Sequence, residues 1–418
     1  MKKIFCLIII LIVSIVSCNK NNSTNPTATS DGLTYPDSNL PKKDFKVLVL
    51  NSSGGFIDNK YNFYKIAEYD KLIIYVKEGS GYKKENVDYI ANEFNKNYSE
   101  EVRIYGEHTD VDNNGKIIIL LLELNEDYSG SVITGYFYRN DLLDGLNNNG
   151  EILYMDLLLV NENPQNMVGT IQHEFQHLIN FNVNYIQNNK EISTWLNEAL
   201  SESTSLLFSE SAVNSRINEF NKVTYGYYCF YTWTLPSANV FPNNPNSQNL
   251  FANYPSVSVF MNCLYKKNNN PSVFQNIAKY SSLDDYQRVF NNVSFTSAAS
   301  WDDLLLKWVE GLKNNDVEGV EFLVQEANSK VSLYPGAVVA YGGSLSSSGN
   351  LVTKDLSGGV QIALNKDTYV GDAPTPIEIT TPNTAVSAQG LKTYKADKPY
   401  IPKYIQVLFD KDGNIKKY

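Results

Sequence analysis

Thr170-Ile-Gln-His-Glu-Phe-Gln-His-Leu-Ile179 decides how the rest of this 418-residue chain is read. His173 and His177 are four residues apart, one turn on a helix, so both side chains share a face. Glu174 projects beside them. Two imidazoles at this spacing with a carboxylate next to the first form the H-E-x-x-H arrangement, in which the histidines bind zinc and the Glu acts on a water at the metal. Met167, Val168, Ile171, Phe175, Leu178 and Ile179 gather within a sector of about 120°. The helix therefore has one side to bury and another that offers the histidines to a cleft. Only three histidines occur in the whole chain, which makes the pair more telling.

A third ligand is required. The six residues after His177 are Leu178-Ile-Asn-Phe-Asn-Val183, with neither Gly nor His, and the remaining histidine, His108, lies upstream. Downstream, Trp195-Leu-Asn-Glu-Ala-Leu-Ser-Glu202 reads as a helix that Ser193 or Thr194 can N-cap. Glu198 and Glu202 are then neighbours on one face. Glu198 is the expected ligand, and Glu202 the expected acceptor of a hydrogen bond from a ligating imidazole.

His173-Glu174-x-x-His177 followed by Asn197-Glu198-x-x-Ser201-Glu202 resembles the gluzincin pattern of thermolysin-like metallopeptidases. Gln172-His-Glu-Phe-Gln-His-Leu-Ile-Asn180 with Trp195-Leu-Asn-Glu198 is most similar to the hyicolysin family of bacterial zinc endopeptidases. The resemblance spans roughly residues 45 to 312 and is strong at these two segments. Gluzincins often carry Asp where this chain has Glu202. The resemblance implies an α+β fold with a zincin-like core, one Zn2+ on His173, His177 and Glu198, and Glu174 as general base. It also implies an oxyanion donor, Tyr or His, after the third ligand. Tyr254, in Tyr254-Pro-Ser-Val-Ser-Val-Phe-Met-Asn-Cys-Leu-Tyr265, is the candidate, with Tyr225, Tyr227 and Tyr228 as rivals and plain aromatic packing as the other account.

The N-terminus begins with the basic Met1-Lys2-Lys3. Ile4 to Val13 is apolar but too short to span a bilayer, as in a signal peptide. It ends in Ile15-Val16-Ser17-Cys18, which resembles the bacterial lipobox, so residues 1–18 are expected to be a leader and Cys18 a lipidated first residue that anchors the chain to a membrane. Asn19 rather than Asp follows, which favours the outer membrane or cell surface. Residues 19–42, rich in Asn, Ser, Thr and Pro, read as a flexible tether. The formal charge of −10 argues against nucleic acid and against electrostatic binding to anionic lipid. Cys229 and Cys263, the cysteines left beyond Cys6 and Cys18, are read as buried free thiols, with a disulfide as the alternative.

Residues 43–320 are expected to be one metallopeptidase domain: a mixed α/β lobe (43–165) and a helical lobe (166–320). Strands are predicted at 45–50, 72–76, 116–124, 132–138 and 151–160, and helices at 85–94, 257–265, 271–280 and 301–311, with a cleft-rim insertion at 224–251. Residues 321–418 read as a small β domain. Asp110-Val-Asp-Asn-Asn-Gly115 resembles the front half of a calcium loop, with Asp110, Asp112 and Asn114 as oxygen donors. Position twelve is Leu121, however, where such a loop has Glu, and an Asx-rich turn explains the segment equally.

These observations together predict a lipid-anchored, extracytoplasmic zinc endopeptidase acting on a protein or peptide. Two other classes stay open: a surface-binding lipoprotein with a structural zinc site, and a metal hydrolase of another bond.

Overall fold

The computed structural model describes residues 32–224, 226–233, 249–366, 375–383, 392–393, 403–405, 407, 409 and 413–415. Cys18, Tyr225 and most of the insertion lie outside the described residues.

The N-terminal half is built on a six-stranded sheet: β1 (Lys42–Leu50), β2 (Phe56–Glu68), β3 (Leu72–Lys77), β4 (Ile117–Leu122), then β7 (Ile152–Asp156), with β6 (Gly135–Phe137) as the far edge. A short strand β5 (Val132–Ile133) precedes β6. β3, β4 and β7 run parallel, whereas β1, β2 and β6 are antiparallel to their neighbours. Every residue of β4, Ile117-Ile-Ile-Leu-Leu-Leu122, is buried, as befits a central strand covered on both faces. Parallel neighbours need a crossover, and helix α1 (Lys84–Tyr105) supplies it between β3 and β4. One face of the sheet packs on the helices through Ile74, Leu121 and Phe94. The other face closes over Phe45, Phe63, Tyr136 and Tyr154.

Several sequence expectations are corrected here. The run 151–160 is not one strand: Asp156 ends β7, accepts a hydrogen bond from Leu159 N–H and N-caps α2 (Leu157–Glu162). Helix α1 extends well past Phe94, to Tyr105. The thirteen-residue β2 was not anticipated. It is half exposed and carries a register shift between Lys65 and Ala67, so its apolar alternation is blurred. The end of the proposed tether is tied to the body, since Thr34 exchanges backbone hydrogen bonds with Tyr82.

The helical lobe follows. Asn163 caps α3 (Pro164–Asn180), which has Pro at its first turn, and a π-helical segment at Phe181–Ile186 continues it. Then come α4 (Thr194–Phe208), α5 (Glu210–Val223), strand β8 (Tyr227–Tyr228), α6 (Asn249–Asn268), α7 (Ser272–Ala278), α8 (Asp285–Phe290) and α9 (Trp301–Lys313). Ser193 sits at the N-cap of α4, but its hydroxyl does not make the capping bond. Pro255 falls inside α6, so the helix starts before Tyr254 rather than at it. Among the described residues no helix is long and apolar enough to cross a membrane.

The C-terminal strands are β9 (Leu323–Val324), β10 (Lys330–Leu333), β11 (Val338–Gly342), β12 (Leu351–Leu356), β13 (Val360–Asn365), β14 (Ile377–Thr380), β15 (Lys392–Thr393) and β16 (Tyr404–Ile405). The sheet β12-β13-β11-β8 takes its last strand from the helical lobe, and β16 pairs in parallel with β5 beside the edge of the main sheet. Cys229 and Cys263 are free and buried.

Candidate metal centre

Helices α3 and α4 pack face to face, and their facing turns carry the site. His173 Nε2 and His177 Nε2 are 3.0 Å apart. Glu198 Oε2 is 3.4 Å from each of them. The three groups converge within a sphere that one ion fills, their ligand atoms all within 4.8 Å of one another. Glu198 is 2% exposed, and its Oε2 is buried without a hydrogen-bond partner. An anionic oxygen left unsatisfied in the interior is costly, so the arrangement fits a cation at that point. Two imidazole nitrogens and one carboxylate oxygen are a donor set suited to zinc in an open, catalytic geometry.

Each ligand is oriented from behind. Ser201 Oγ donates to Gln176 Oε1 at 2.5 Å and lies 2.9 Å from His177 Nδ1. Asn197 Oδ1 is 3.1 Å from the same nitrogen. With the Ser201 proton committed to Gln176, Nδ1 must be the donor, which in a neutral ring leaves Nε2 bare toward the centre. Glu202 Oε1 stands 3.5 Å from His173 Nδ1, long for a hydrogen bond. Its stronger partner is Arg216 on α5, whose Nε and Nη2 reach the two Glu202 oxygens at 2.9 and 2.6 Å. Arg216 Nη1 also donates to Glu219 at 2.8 Å. Glu202 thus stands beside His173 but makes its hydrogen bonds to Arg216, a guanidinium with no local sequence signal.

Burial and charge compete here. Burial would push Glu198 up, but the two imidazoles outweigh it and hold the carboxyl down to about 2. Burial would lower His177, yet Glu198 raises it to about 9. Glu174 goes the other way: burial raises its carboxyl above the usual range, offset only in part by the histidines. Glu174 Oε2 accepts a hydrogen bond from Phe137 N–H of edge strand β6 at 2.8 Å. Gly135 makes this approach feasible. A Cβ there would stand 2.8 Å from Tyr154 O and 3.0 Å from Thr170 Cγ2, so a side chain would push β6 off α3.

Gly169 serves α3 in the same way, since a Cβ would meet Ala212 Cβ of α5 at 2.8 Å. Beside His173 opens a small cavity of roughly 90 Å3, lined among others by Thr134, Met167, Arg216, Tyr404 and Ile405. The C-terminal strand β16 is therefore part of the wall next to the metal centre.

Tyr254 is buried in the same neighbourhood, its ring 6.4 Å from the His173 ring and 5.1 Å from the Arg216 guanidinium. Tyr227 and Tyr228 are elsewhere, donating to Ser332 O and Leu323 O in the β region. His108 is also apart from the site, bonded to Tyr98 Oη at 2.6 Å and packed on Phe175. In the loop after α1, Asn114 turns its amide nitrogen to Asp112 Oδ2 and its carbonyl oxygen to Lys116 N–H. The group converging there is Asp110, Asp112 and Glu151 instead.

No protein-family model matches the chain. Among curated proteins it resembles the neutral metalloprotease ShpI of Staphylococcus hyicus, with 32% identity over 131 residues, 29% of this chain and 30% of that protein. The chain thus spans under a third of the length of the relative it matches. The likeness is to a metalloprotease, and the His173, His177 and Glu198 cluster is one that could hold a metal ion.

Proposed function

We propose that this chain is a zinc endopeptidase of the gluzincin type, similar to the hyicolysins, that cleaves protein or peptide substrates. The observation that carries the proposal is Glu198 Oε2, buried, without a hydrogen-bond partner and 3.4 Å from both imidazole nitrogens, with Glu174 beside them. Zinc held by His173, His177 and Glu198 would supply Lewis-acid charge that makes water nucleophilic near neutral pH.

The chain's own residues do the rest. Glu174 takes the proton of the attacking water and passes it to the leaving amine; its raised pKa suits a group that must both accept and return a proton. The edge strand β6 offers backbone groups along which an extended peptide can lie. Tyr254, buried beside the His173 ring, is proposed as a donor to the developing oxyanion. The cavity beside His173 is the expected seat of one substrate side chain. A purely structural zinc site, or a binding lipoprotein built on one, has no use for a buried carboxyl at Glu174. Turnover on casein, gelatin and peptidoglycan, with the Glu174→Gln protein as control, tests the reaction class. Cleavage of peptidoglycan alone, or equal turnover by the variant, would overturn the proposal.

The lipobox-like Ile15-Val16-Ser17-Cys18 supports attachment through Cys18 and an extracytoplasmic place at the outer membrane or cell surface. Cys18→Ser should release the protein from the membrane fraction; a variant that still partitions into detergent as the wild type does would place the anchor elsewhere.

A further inference from the structure

Upstream of α3 and α4, a second group of carboxylates meets at the N-terminal ends of two central strands. Asp110 and Asp112 lie in the loop between α1 and β4, and Glu151 lies immediately before β7. Their ligand oxygens all lie within 4.8 Å of one another. Glu151 is wholly buried. Its Oε1 accepts from Val111 N–H at 2.9 Å, while its Oε2 is buried without a hydrogen-bond partner. The Thr109 hydroxyl is near enough to favour the ionised form, yet it makes no hydrogen bond of good geometry. Lys116, the closest basic residue in sequence, is turned to Glu68 at 2.8 Å, and Lys43, whose charge reaches Asp112, stands over the Phe45 ring at 4.9 Å. Three acids therefore meet, and the buried one among them keeps an oxygen with no hydrogen-bond partner among the described residues. That arrangement is costly unless a cation is present.

From this geometry we propose that Asp110, Asp112 and Glu151 form a site for a hard divalent cation of the calcium type, distinct from the His173–His177–Glu198 centre. The donors are all oxygens, which disfavours zinc and other softer metals. Ligands on opposite sides of a calcium ion, each about 2.3–2.6 Å from it, lie roughly 5 Å apart, so oxygens within 4.8 Å of one another can share one ion. The loop contributes the front half of a familiar calcium loop: Gly115 N–H donates to Asp110 Oδ1 at 3.0 Å, with Gly115 at φ +67°. The acid that such a loop normally takes from its twelfth position comes instead from Glu151, thirty-six residues beyond Gly115 in the chain. This explains how Leu121 can occupy the twelfth position and serve as a buried residue of β4.

The site would pin two strands. Asp112 leads into β4, Glu151 into β7, and Ile118 N–H already donates to Glu151 O at 2.7 Å. β7 runs into α2 and α3, so the cation would brace the sheet on which the metal helix rests without touching the reaction. Its role is to stabilise the fold, with an affinity of about 10⁻⁴ to 10⁻³ M, the range of extracellular calcium modules.

The test uses the full chain, stripped of metal and reloaded with one equivalent of zinc, in a Glu174→Gln background so that self-digestion cannot mimic instability. Calcium chloride is titrated by calorimetry, and Tm is followed with calcium and with magnesium. We expect one further calcium per chain, a Tm rise of about 5 °C at a hundredfold excess over Kd, and a smaller rise with magnesium. Asp110→Asn and Glu151→Gln should each abolish the calcium response while zinc content stays at one. Without calcium, Glu151→Gln should melt no lower than its parent, because it removes a buried charge; a merely structural Glu151 would melt lower under every condition. Asp110→Asn, at an exposed position, keeps the test readable if the Glu151 variant fails to fold. No calcium binding up to 10⁻² M, or an undiminished response in both variants, would overturn the proposal.

Discussion

Glu198 on α4 and Glu101 on α1 are both lost to solvent, and both helices pack on α3, yet their carboxyls live in opposite electrostatic settings. Around Glu198 two imidazoles supply compensating charge, and the carboxyl is held down to about 2 in spite of burial. Around Glu101 no described residue compensates. Both its oxygens are buried without a hydrogen-bond partner, and burial alone drives the group well above its ordinary value. The lesson is that burial does not by itself mark an acid as functional. Glu198 is singled out by what converges on it, and Glu101 shows what the same helical environment does to a carboxyl that nothing meets.

The contrast can be attacked first where the expected effect is largest. Glu174→Gln preserves size and removes the base, so proteolysis of casein should fall by about 10²-fold or more. Metal content and Tm should stay near wild type, because Glu174 is placed beside the ion rather than on it. Loss of the metal in this variant would mean that Glu174 is a ligand. Glu198→Gln should behave in the converse way. It removes an anionic donor and should weaken zinc binding by at least tenfold, with activity lost in proportion and restored by excess zinc. An unchanged zinc affinity would make Glu198 no more a ligand than Glu101 is.

Arg216 tests how far the compensation reaches. Arg216→Met leaves Glu202 buried beside His173 without its bidentate partner. Removing one member of a buried pair costs about 3–5 kcal/mol, and the partial exposure of Arg216 argues for somewhat less, about 2 kcal/mol. Pairing it with Glu202→Gln should recover part of that loss by removing the stranded charge. A double variant less stable than the sum of the two singles, measured by denaturant unfolding, would refute this account of the pair.

How much of this was open to a reader of the sequence depends on the distance over which each feature is encoded. His173, Glu174 and His177 sit within one turn, so spacing alone puts them together. Glu198 and Glu202 needed a second local pattern, one turn long, and the motif that joins it to the first. Arg216, Ser201 and Gln176 join the site through the packing of α3, α4 and α5, and no spacing announces that packing. The run from Glu151 to Val160 misled because an apolar stretch looks the same in a strand and in a buried helix. The cap at Asp156 was the available clue. The C-terminal strands are tied in at longer range: β8 pairs with β11, and β16 with β5, across more than a hundred residues of chain. Separate domains cannot be told from interwoven ones by composition.

The cleanest sign belongs to Glu101. Folded, its carboxyl holds a proton at pH values where the unfolded chain, with an ordinary carboxyl near 4.5, has released it. The folded state therefore binds more protons than the unfolded state once pH exceeds 4.5, and stability falls as pH rises from there toward the folded pKa. The slope reaches at most about 1.4 kcal/mol per pH unit. Below 4.5 both states are protonated and the group is neutral to the balance. Glu101→Gln keeps the shape and abolishes the titration. Its melting curve should coincide with wild type near pH 4.5 and lie above it by a margin that widens as the buffer is raised to pH 8. This is the reverse of Glu198, whose depressed carboxyl is an asset at neutral pH. If the two proteins melt in parallel across that range, or the variant is lower at pH 8, Glu101 has a compensating partner after all, and the distinction between the two buried acids falls.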